Sequence, residues 1–133
     1  MTPSPLPPAI VVVEDQPAIL AIVQRLLRDL AGRYASIAVA TGAEALAQFA
    51  HSTVPLLITD YQMPRMSGLA LAQAVQARAP ATSVRMITGY PSPELRAAAD
   101  AVGVAYVLGK PFRLAALRQI VWAALDGEKG RSL

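Results

Sequence analysis

The chain of 133 residues has no cysteine, few aromatic residues and few charges, and each shortage excludes a class of protein. Without cysteine it forms neither disulfide bonds nor thiolate metal sites, which is typical of a reducing cytoplasm. Aromatic residues make up 5% and charged residues 16%, and the net charge is only +3. The arginines are scattered singly, so the sequence does not favour direct binding of nucleic acid.

Long apolar runs are absent as well. No stretch approaches the ~20 residues that a membrane-spanning helix needs. The N-terminal segment MTPSPLPP does not have the pattern of a signal peptide. Hydrophobic residues nevertheless make up 54% of the chain, which is sufficient at this length for one domain with a buried core. We therefore expect one domain, a cytoplasmic location and no membrane contact.

What the sequence does contain is a regular alternation of strand and helix patterns. Short apolar runs, typical of buried parallel strands, occur at 9–13, 34–40, 56–59, 84–88 and 105–109. Each is followed by apolar residues at the 3.6-residue period of a helix. The fourth such helix, in PSPELRAAADAV, is rich in alanine and has few residues to anchor it.

The first helix has the clearest pattern. It is predicted to begin at Pro17 and to end at Gly32, since proline suits the first helical position and glycine the end. Its apolar residues at helical spacing are Ile19, Ile22, Val23, Leu26, Leu27 and Leu30. We expect these residues to face the core.

This alternation predicts an α/β fold, in which right-handed βαβ units form a doubly wound five-stranded parallel sheet with five helices. The segment 34–40 alternates in hydrophobicity, which indicates an edge strand, so the expected strand order is 2-1-3-4-5. The domain is predicted to span residues 9–126. A flexible proline-rich tail is predicted at 1–8 and a C-terminal tail at 127–133.

Polar residues stand at the ends of four of the predicted strands. Glu14 and Asp15 follow the first strand, Asp60 the third, Thr88 closes the fourth, and Lys110 follows the fifth. In an open parallel sheet, ligands bind beyond the carboxyl ends of the strands, where the strand order reverses. The predicted order therefore brings three carboxylates, a hydroxyl and an ammonium group to one crevice.

Each of these residues also has an ordinary structural explanation. Asp15 could cap the first helix, and Asp60 could form an Asx-turn. Thr88 could be an ordinary loop residue, and Lys110 a solvated one. Their occurrence at successive strand ends is what favours a shared site.

The same residues resemble the receiver domain of two-component response regulators. VVVEDQ resembles the acidic pair after the first strand, and DYQMPRMSG resembles the phosphoacceptor loop with its Met-Pro and following glycine. ITG resembles the Thr/Ser position, and GKPF the Lys-Pro pair. The resemblance covers about residues 9–126 and implies a flavodoxin-like fold, most similar to free-standing, single-domain receivers.

The resemblance implies a phosphoacceptor of a phosphorelay rather than an enzyme. Asp60 would accept a phosphoryl group from the phosphohistidine of a sensor histidine kinase or phosphotransfer protein. Lys110 and Thr88 would contact the phosphoryl oxygens. The domain would assist only its own phosphorylation and dephosphorylation, and it would pass the signal to another protein through the surface of helix 4, strand 5 and helix 5.

The resemblance also implies a bound Mg²⁺. Asp15 and Asp60 would bind it directly, Glu14 directly or through water, and Gln62 through its backbone carbonyl. Three adjacent carboxylates repel one another, and a hard divalent cation with oxygen ligands relieves that repulsion. Glu14 departs from the family, in which aspartate is more usual at this position.

The switch position is a second departure. Family members place an aromatic residue three positions before the lysine, but Val107 stands there and Tyr106 precedes it. A bulge at Gly109 would restore the register, although the length of 103–110 indicates no insertion. Because side chains alternate along a strand, we hypothesise that Val107 lies at the switch position and Tyr106 on the opposite face.

Three alternatives remain. The chain could be the receiver segment of a hybrid histidine kinase, a pseudo-receiver that signals without phosphate, or a flavodoxin-like protein that binds FMN. The intact acidic set argues against the pseudo-receiver. The absence of a hydroxyl- and glycine-rich phosphate loop after the first strand argues against FMN.

Overall fold

The computed structural model describes residues 7–29 and 33–130, with side chains up to residue 125. In this part of the chain, five strands alternate with five helices. The strands are β1 (Ala9–Val13), β2 (Ala35–Val39), β3 (Leu56–Asp60), β4 (Ser83–Thr88) and β5 (Val104–Gly109). The helices are α1 (Pro17–Arg28), α2 (Gly42–Gln48), α3 (Gly68–Arg78), α4 (Pro93–Ala101) and α5 (Leu114–Gly130).

The strands form one parallel sheet in the order β2-β1-β3-β4-β5, which confirms the predicted topology. β1 pairs with β2 on one side and with β3 on the other, so the strand order reverses at β1. All residues of β1 and β3 are buried, whereas β2 is partly exposed, as expected for an edge strand. A ligand site is therefore expected beyond the carboxyl ends of β1 and β3.

The core has one half on each face of the sheet. Val11, Leu57 and Val107 pack on the face that α2, α3 and α4 cover. Ile10 and Ile58 pack on the opposite face, which α1 and α5 cover. Alternate side chains of a strand point to opposite faces, so apolar residues at successive positions supply both halves.

The structure corrects one detail of α1. The helix begins at Pro17 as predicted, and Val23, Leu26 and Leu27 are buried. Ile22, however, is 41% exposed, so its assignment to the core was wrong. It lies about 100° around the helix from Val23, beyond the edge of the buried stripe. The predicted core residue Leu30 and the predicted helix end at Gly32 lie outside the described residues.

The last two helices also differ from the sequence-based picture. α4 is anchored on β5 by Leu95 and Ala99, both of which are buried, so it is better held than its composition indicates. α5 continues to Gly130, past residue 126 where the domain was predicted to end. Within the described part of the chain, no helix is both long and apolar enough to cross a membrane.

Candidate functional site

A cleft of about 460 Å³ opens at the carboxyl ends of the strands. Its lining consists of Asp15, Gln16, Pro17, Asp60, Gln62, Thr88, Gly89, Tyr90 and Lys110. Five of the six residues predicted for the site are among them. The sixth, Glu14, is joined to the cleft by an ion pair with Lys110. The structure thus brings the predicted residues together.

Lys110 lies at the centre of the polar contacts in the cleft. Its Nζ donates to Glu14 Oε1 at 3.1 Å and to Gln16 Oε1 at 3.4 Å, and it lies 3.4 Å from Asp60 Oδ2. These contacts match the three N–H groups of an ammonium ion. The backbone N–H of Lys110 also donates to Thr88 O at 2.7 Å, which fixes the end of β5 beside β4. Lys110 is therefore not a solvated surface lysine.

Three carboxylates converge at the same place. Carboxylate oxygens of Glu14, Asp15 and Asp60 all lie within 4.8 Å of one another. Glu14 and Asp60 are buried, whereas Asp15 is exposed. When all are ionised, three negative charges and the ammonium of Lys110 leave a net charge of two negatives, which one divalent cation would balance. Oxygen ligands of this kind suit Mg²⁺, so the residues present fit that ion.

The alternative role of Asp15 as a helix cap is not observed. The residue at the N-cap of α1 is Gln16, and among the described residues no side chain caps the helix. The backbone N–H of Asp15 instead donates to Glu14 Oε2 at 3.2 Å. Three other helices do have hydroxyl caps, namely Thr41 for α2, Ser67 for α3 and Ser92 for α4. The Asp15 carboxylate therefore faces the cleft without a capping role.

Glu14 has an unusual proton affinity in this setting. Burial raises the pKa of its carboxyl group from 4.5 to about 7. The hydrogen bond from Lys110 opposes this shift, and the nearby Asp60 carboxylate adds to it. Without a bound cation, the Glu14 carboxyl is therefore partly protonated near neutral pH.

This pKa makes stability depend on pH when divalent cations are removed by a chelator. The unfolded chain releases the proton near pH 4.5, whereas the folded protein holds it up to about pH 7. The protonated Glu14 carboxyl therefore stabilises the folded state fully below its pKa in the unfolded chain. This stabilisation is lost as the pH rises through the pKa of Glu14 in the folded protein. The side chain of Glu14→Gln does not titrate. As the pH rises from about 4.5 to about 7, we therefore expect the free energy of unfolding of the variant to increase by roughly 3 kcal/mol relative to that of wild type. Urea unfolding at several pH values measures the difference, and a difference independent of pH would contradict the assignment.

Thr88 presents a hydroxyl group at the end of β4. Its side chain is buried, and its Oγ1 accepts a hydrogen bond from the backbone N–H of Tyr90 at 3.1 Å. Among the described residues this hydroxyl donates no hydrogen bond, so its proton is available to a ligand oxygen. The neighbouring Gly89 has open space around it, with no heavy atom within 4 Å of an added Cβ.

The loop from β3 to α3 holds Asp60 in place. The N–H of Tyr61 donates to Ile87 O at 2.9 Å, and the N–H of Gly68 returns to Tyr61 O at 2.8 Å. A Cβ at Gly68 would lie 2.5 Å from Asp60 O and 3.0 Å from Tyr61 Cα. The glycine of the loop motif is therefore required by a close approach of two backbone segments.

Gly68→Ala is expected to destabilise the protein by about 1–3 kcal/mol. The added methyl group would clash with backbone atoms of Asp60 and Tyr61, which can move away only if the end of β3 shifts with them. Gly42→Ala is a matched control, since both glycines are the first residue of a helix after a hydroxyl cap. Its Cβ would meet Met66 Sδ at 2.6 Å, but that side chain is flexible. Urea unfolding of both variants provides the measurement. Equal losses of stability would refute the proposed backbone contact at Gly68.

Val107 and Tyr106, the two residues around the predicted switch position, differ in burial and in the face of β5 on which they lie. Val107 is buried and pairs with Met86 on the face covered by α4. Tyr106 is 47% exposed at the edge of the sheet, where it lines one groove with Ile120 of α5 and a second groove with Arg96 of α4. The strand does contain an irregularity, but at Ala105, between the pairs Val84–Val104 and Arg85–Tyr106, rather than at Gly109.

Sequence reasoning missed three residues around the cleft. Gln16 accepts a hydrogen bond from Lys110, and Tyr90 lines the opening. Thr59 is buried directly before Asp60. In the sequence, the only signal for these residues is that each one adjoins a predicted motif. Gln16 follows the acidic pair, Tyr90 follows Thr88-Gly89, and Thr59 precedes the phosphoacceptor motif.

The comparisons with known proteins agree with one another. Residues 10–122 match the response regulator receiver domain. Over 82 residues the chain is 40% identical to the response regulator protein PilR of Pseudomonas aeruginosa, covering 62% of this chain and 18% of PilR. Over 117 residues it is 32% identical to the regulator of RpoS of Escherichia coli, covering 87% of this chain and 34% of the relative.

A solved structure shows the same architecture. A CheY-like response regulator receiver domain protein from Methanospirillum hungatei superposes with a TM-score of 0.84 at 25% identity, covering 95% of this chain and 99% of that chain. The chain spans about a fifth of the length of PilR and a third of that of the regulator of RpoS. Receiver domains are signalling domains rather than classical enzymes, and they pair with histidine kinases or phosphotransfer proteins. The chain belongs to the receiver domain family of two-component response regulators.

Proposed function

We propose that this domain accepts a phosphoryl group on Asp60 from the phosphohistidine of a histidine kinase or phosphotransfer protein. The observation that carries the proposal is the Asp60 carboxylate, buried at the end of β3 and 3.4 Å from Lys110 Nζ. A carboxylate oxygen of Asp60 would attack phosphorus as the P–N bond breaks, and the leaving imidazole would take up a proton. The product would be an acyl phosphate on Asp60.

The surrounding side chains suit the charge that develops on the phosphoryl group. The ammonium of Lys110 is compact, and the hydroxyl proton of Thr88 has no other acceptor among the described residues. Each would bind one phosphoryl oxygen, and such preorganised donors supply most of the stabilisation in phosphoryl transfer. Lys110 would then exchange a carboxylate contact for a phosphoryl contact.

Mg²⁺ would be held by Asp15 and Asp60, by Glu14 directly or through water, and by the backbone carbonyl of Gln62. When bound, the ion would offset the negative charge of both the carboxylates and the phosphoryl oxygens. Of these residues, Asp15, Asp60 and Gln62 line the cleft. The same site would support slow loss of the phosphate to water, so the domain would assist its own dephosphorylation.

The output surface would be formed by α4, β5 and α5. Arg96 Nη1 of α4 donates to the backbone carbonyl of Val107 at 3.1 Å, so α4 is tied to the strand that leads to Lys110. A shift of Lys110 and Thr88 toward a phosphoryl group would alter the end of β5 and bias the packing of α4. This is a population shift between two packings, which a partner protein would detect.

Incubation with acetyl phosphate tests the proposed function without a known kinase. With Mg²⁺ present, the mass of the intact protein is expected to increase by one phosphoryl group, since Asp60 would supply the nucleophile and the neighbouring oxygen ligands would hold the ion. With a chelator, the increase is expected to be lost. A protein that takes up no phosphate, or takes it up equally in the chelator, would contradict the proposal.

A further inference from the structure

Thr59, the residue before Asp60, carries a hydroxyl group into an apolar part of the core. Its side chain is fully buried, and its neighbours on the adjacent strands are Val13 and Met86. A buried hydroxyl destabilises the folded state unless it forms a hydrogen bond. The partners of this hydroxyl therefore indicate its role.

Both partners of the hydroxyl belong to the segment 60–63, which joins the last residue of β3 to the following loop. Thr59 Oγ1 donates to the backbone carbonyl of Asp60 at 2.9 Å, and it lies 3.8 Å from Met63 Sδ. The segment 60–63 contains the proposed phosphoacceptor and Gln62. One buried hydroxyl thus contacts the first and the last residue of this segment.

The Asp60 carbonyl is enclosed from a second direction. An added Cβ at Gly68 would lie only 2.5 Å from this oxygen, so the first turn of α3 packs closely against it. Rotation of the peptide plane between Asp60 and Tyr61 would break the bond to Thr59. The orientation of this plane sets ψ of Asp60, and because the allowed side-chain rotamers depend on φ and ψ, it limits the directions in which Asp60 presents its carboxylate.

Packing does not account for the hydroxyl group. Valine has nearly the same shape as threonine and would suit apolar neighbours better, since it buries no polar atom. We infer that Thr59 is a positioning residue, whose hydroxyl orients the Asp60 peptide and thereby the phosphoacceptor carboxylate. The inference rests on the proposed function of Asp60 and deepens it.

Three variants separate positioning from general stability. Thr59→Val removes the hydroxyl, and Thr59→Ser retains it. Thr82→Val is the matched control, because the buried Thr82 hydroxyl donates to the carbonyl of Val54 at 2.6 Å outside the cleft. At saturating acetyl phosphate with Mg²⁺, Thr59→Val is expected to be phosphorylated about tenfold more slowly than wild type. Thr59→Ser and Thr82→Val are expected to keep the wild-type rate, although Thr82→Val loses stability.

A wild-type rate in Thr59→Val, or an equal loss of rate in Thr82→Val, would overturn the inference while leaving the proposed function intact. If the wild-type protein accepts no phosphate, the proposed function fails, and amide hydrogen exchange still tests the positioning. The N–H groups of Tyr61 and Gly68 are then expected to exchange faster in Thr59→Val than in Thr82→Val. Equal exchange in the two variants would overturn the inference.

Discussion

Replacing Asp60 with asparagine is expected to abolish the uptake of phosphate from acetyl phosphate. Asparagine has the same shape as aspartate, but its neutral amide is not a nucleophile toward phosphorus. Lys110 keeps its 3.1 Å contact with Glu14, so we expect the rest of the cleft to keep its structure in the variant. Mass spectrometry of the intact protein, with and without acetyl phosphate, provides the measurement.

Asp29→Asn is a suitable control for this experiment. It removes the same charge at the far end of α1, where Asp29 is exposed and its carboxylate, among the described residues, forms only a surface ion pair with Arg118 at 3.5 Å. The control is expected to take up phosphate at the wild-type rate. Uptake of one phosphate by a folded Asp60→Asn protein would place the phosphoacceptor elsewhere.

Asp15→Asn is expected to weaken the binding of Mg²⁺ by about 30-fold. Asp15 is exposed, so the dielectric constant of water applies to its interactions. Even there, a divalent cation and a carboxylate about 4 Å apart attract each other by about 2 kcal/mol, and tenfold in affinity corresponds to about 1.4 kcal/mol. Titration calorimetry with Mg²⁺ at neutral pH measures the change.

The same control variant applies to the metal. Asp29→Asn changes the net charge of the protein by the same amount as Asp15→Asn, so it reports any long-range effect of charge on Mg²⁺ binding. We expect its affinity to equal that of wild type. If Asp15→Asn also binds Mg²⁺ as tightly as wild type, Asp15 is not a ligand, and the metal site would have to be assigned to other groups.

The topology could be predicted because local patterns determined it. The run at 9–13 is apolar at every position and the run at 56–59 at every position except Thr59, and only a central parallel strand buries both faces. The weaker alternation at 34–40 identified the edge strand. With right-handed crossovers, this edge position predicts the order 2-1-3-4-5, which brings Glu14, Asp60 and Lys110 together.

The remaining features depend on contacts between distant residues. Ile22 has the right spacing for the core of α1, but it lies beyond the width of the surface that the sheet covers. The bulge at Ala105 is a shift in the register between β5 and β4, and no glycine at that position marks it. The hydrogen bond from Lys110 to Gln16 joins residues 94 positions apart, so no local pattern predicts it.

The most direct test of the account identifies the phosphorylated residue in the wild-type protein. Borohydride reduces an acyl phosphate to an alcohol, so a phosphorylated aspartate becomes homoserine, which peptide mass spectrometry can locate. After treatment with acetyl phosphate and Mg²⁺, we expect homoserine at position 60 and at no other aspartate. Homoserine at position 15 instead, or the absence of homoserine from a protein that has taken up phosphate, would contradict it.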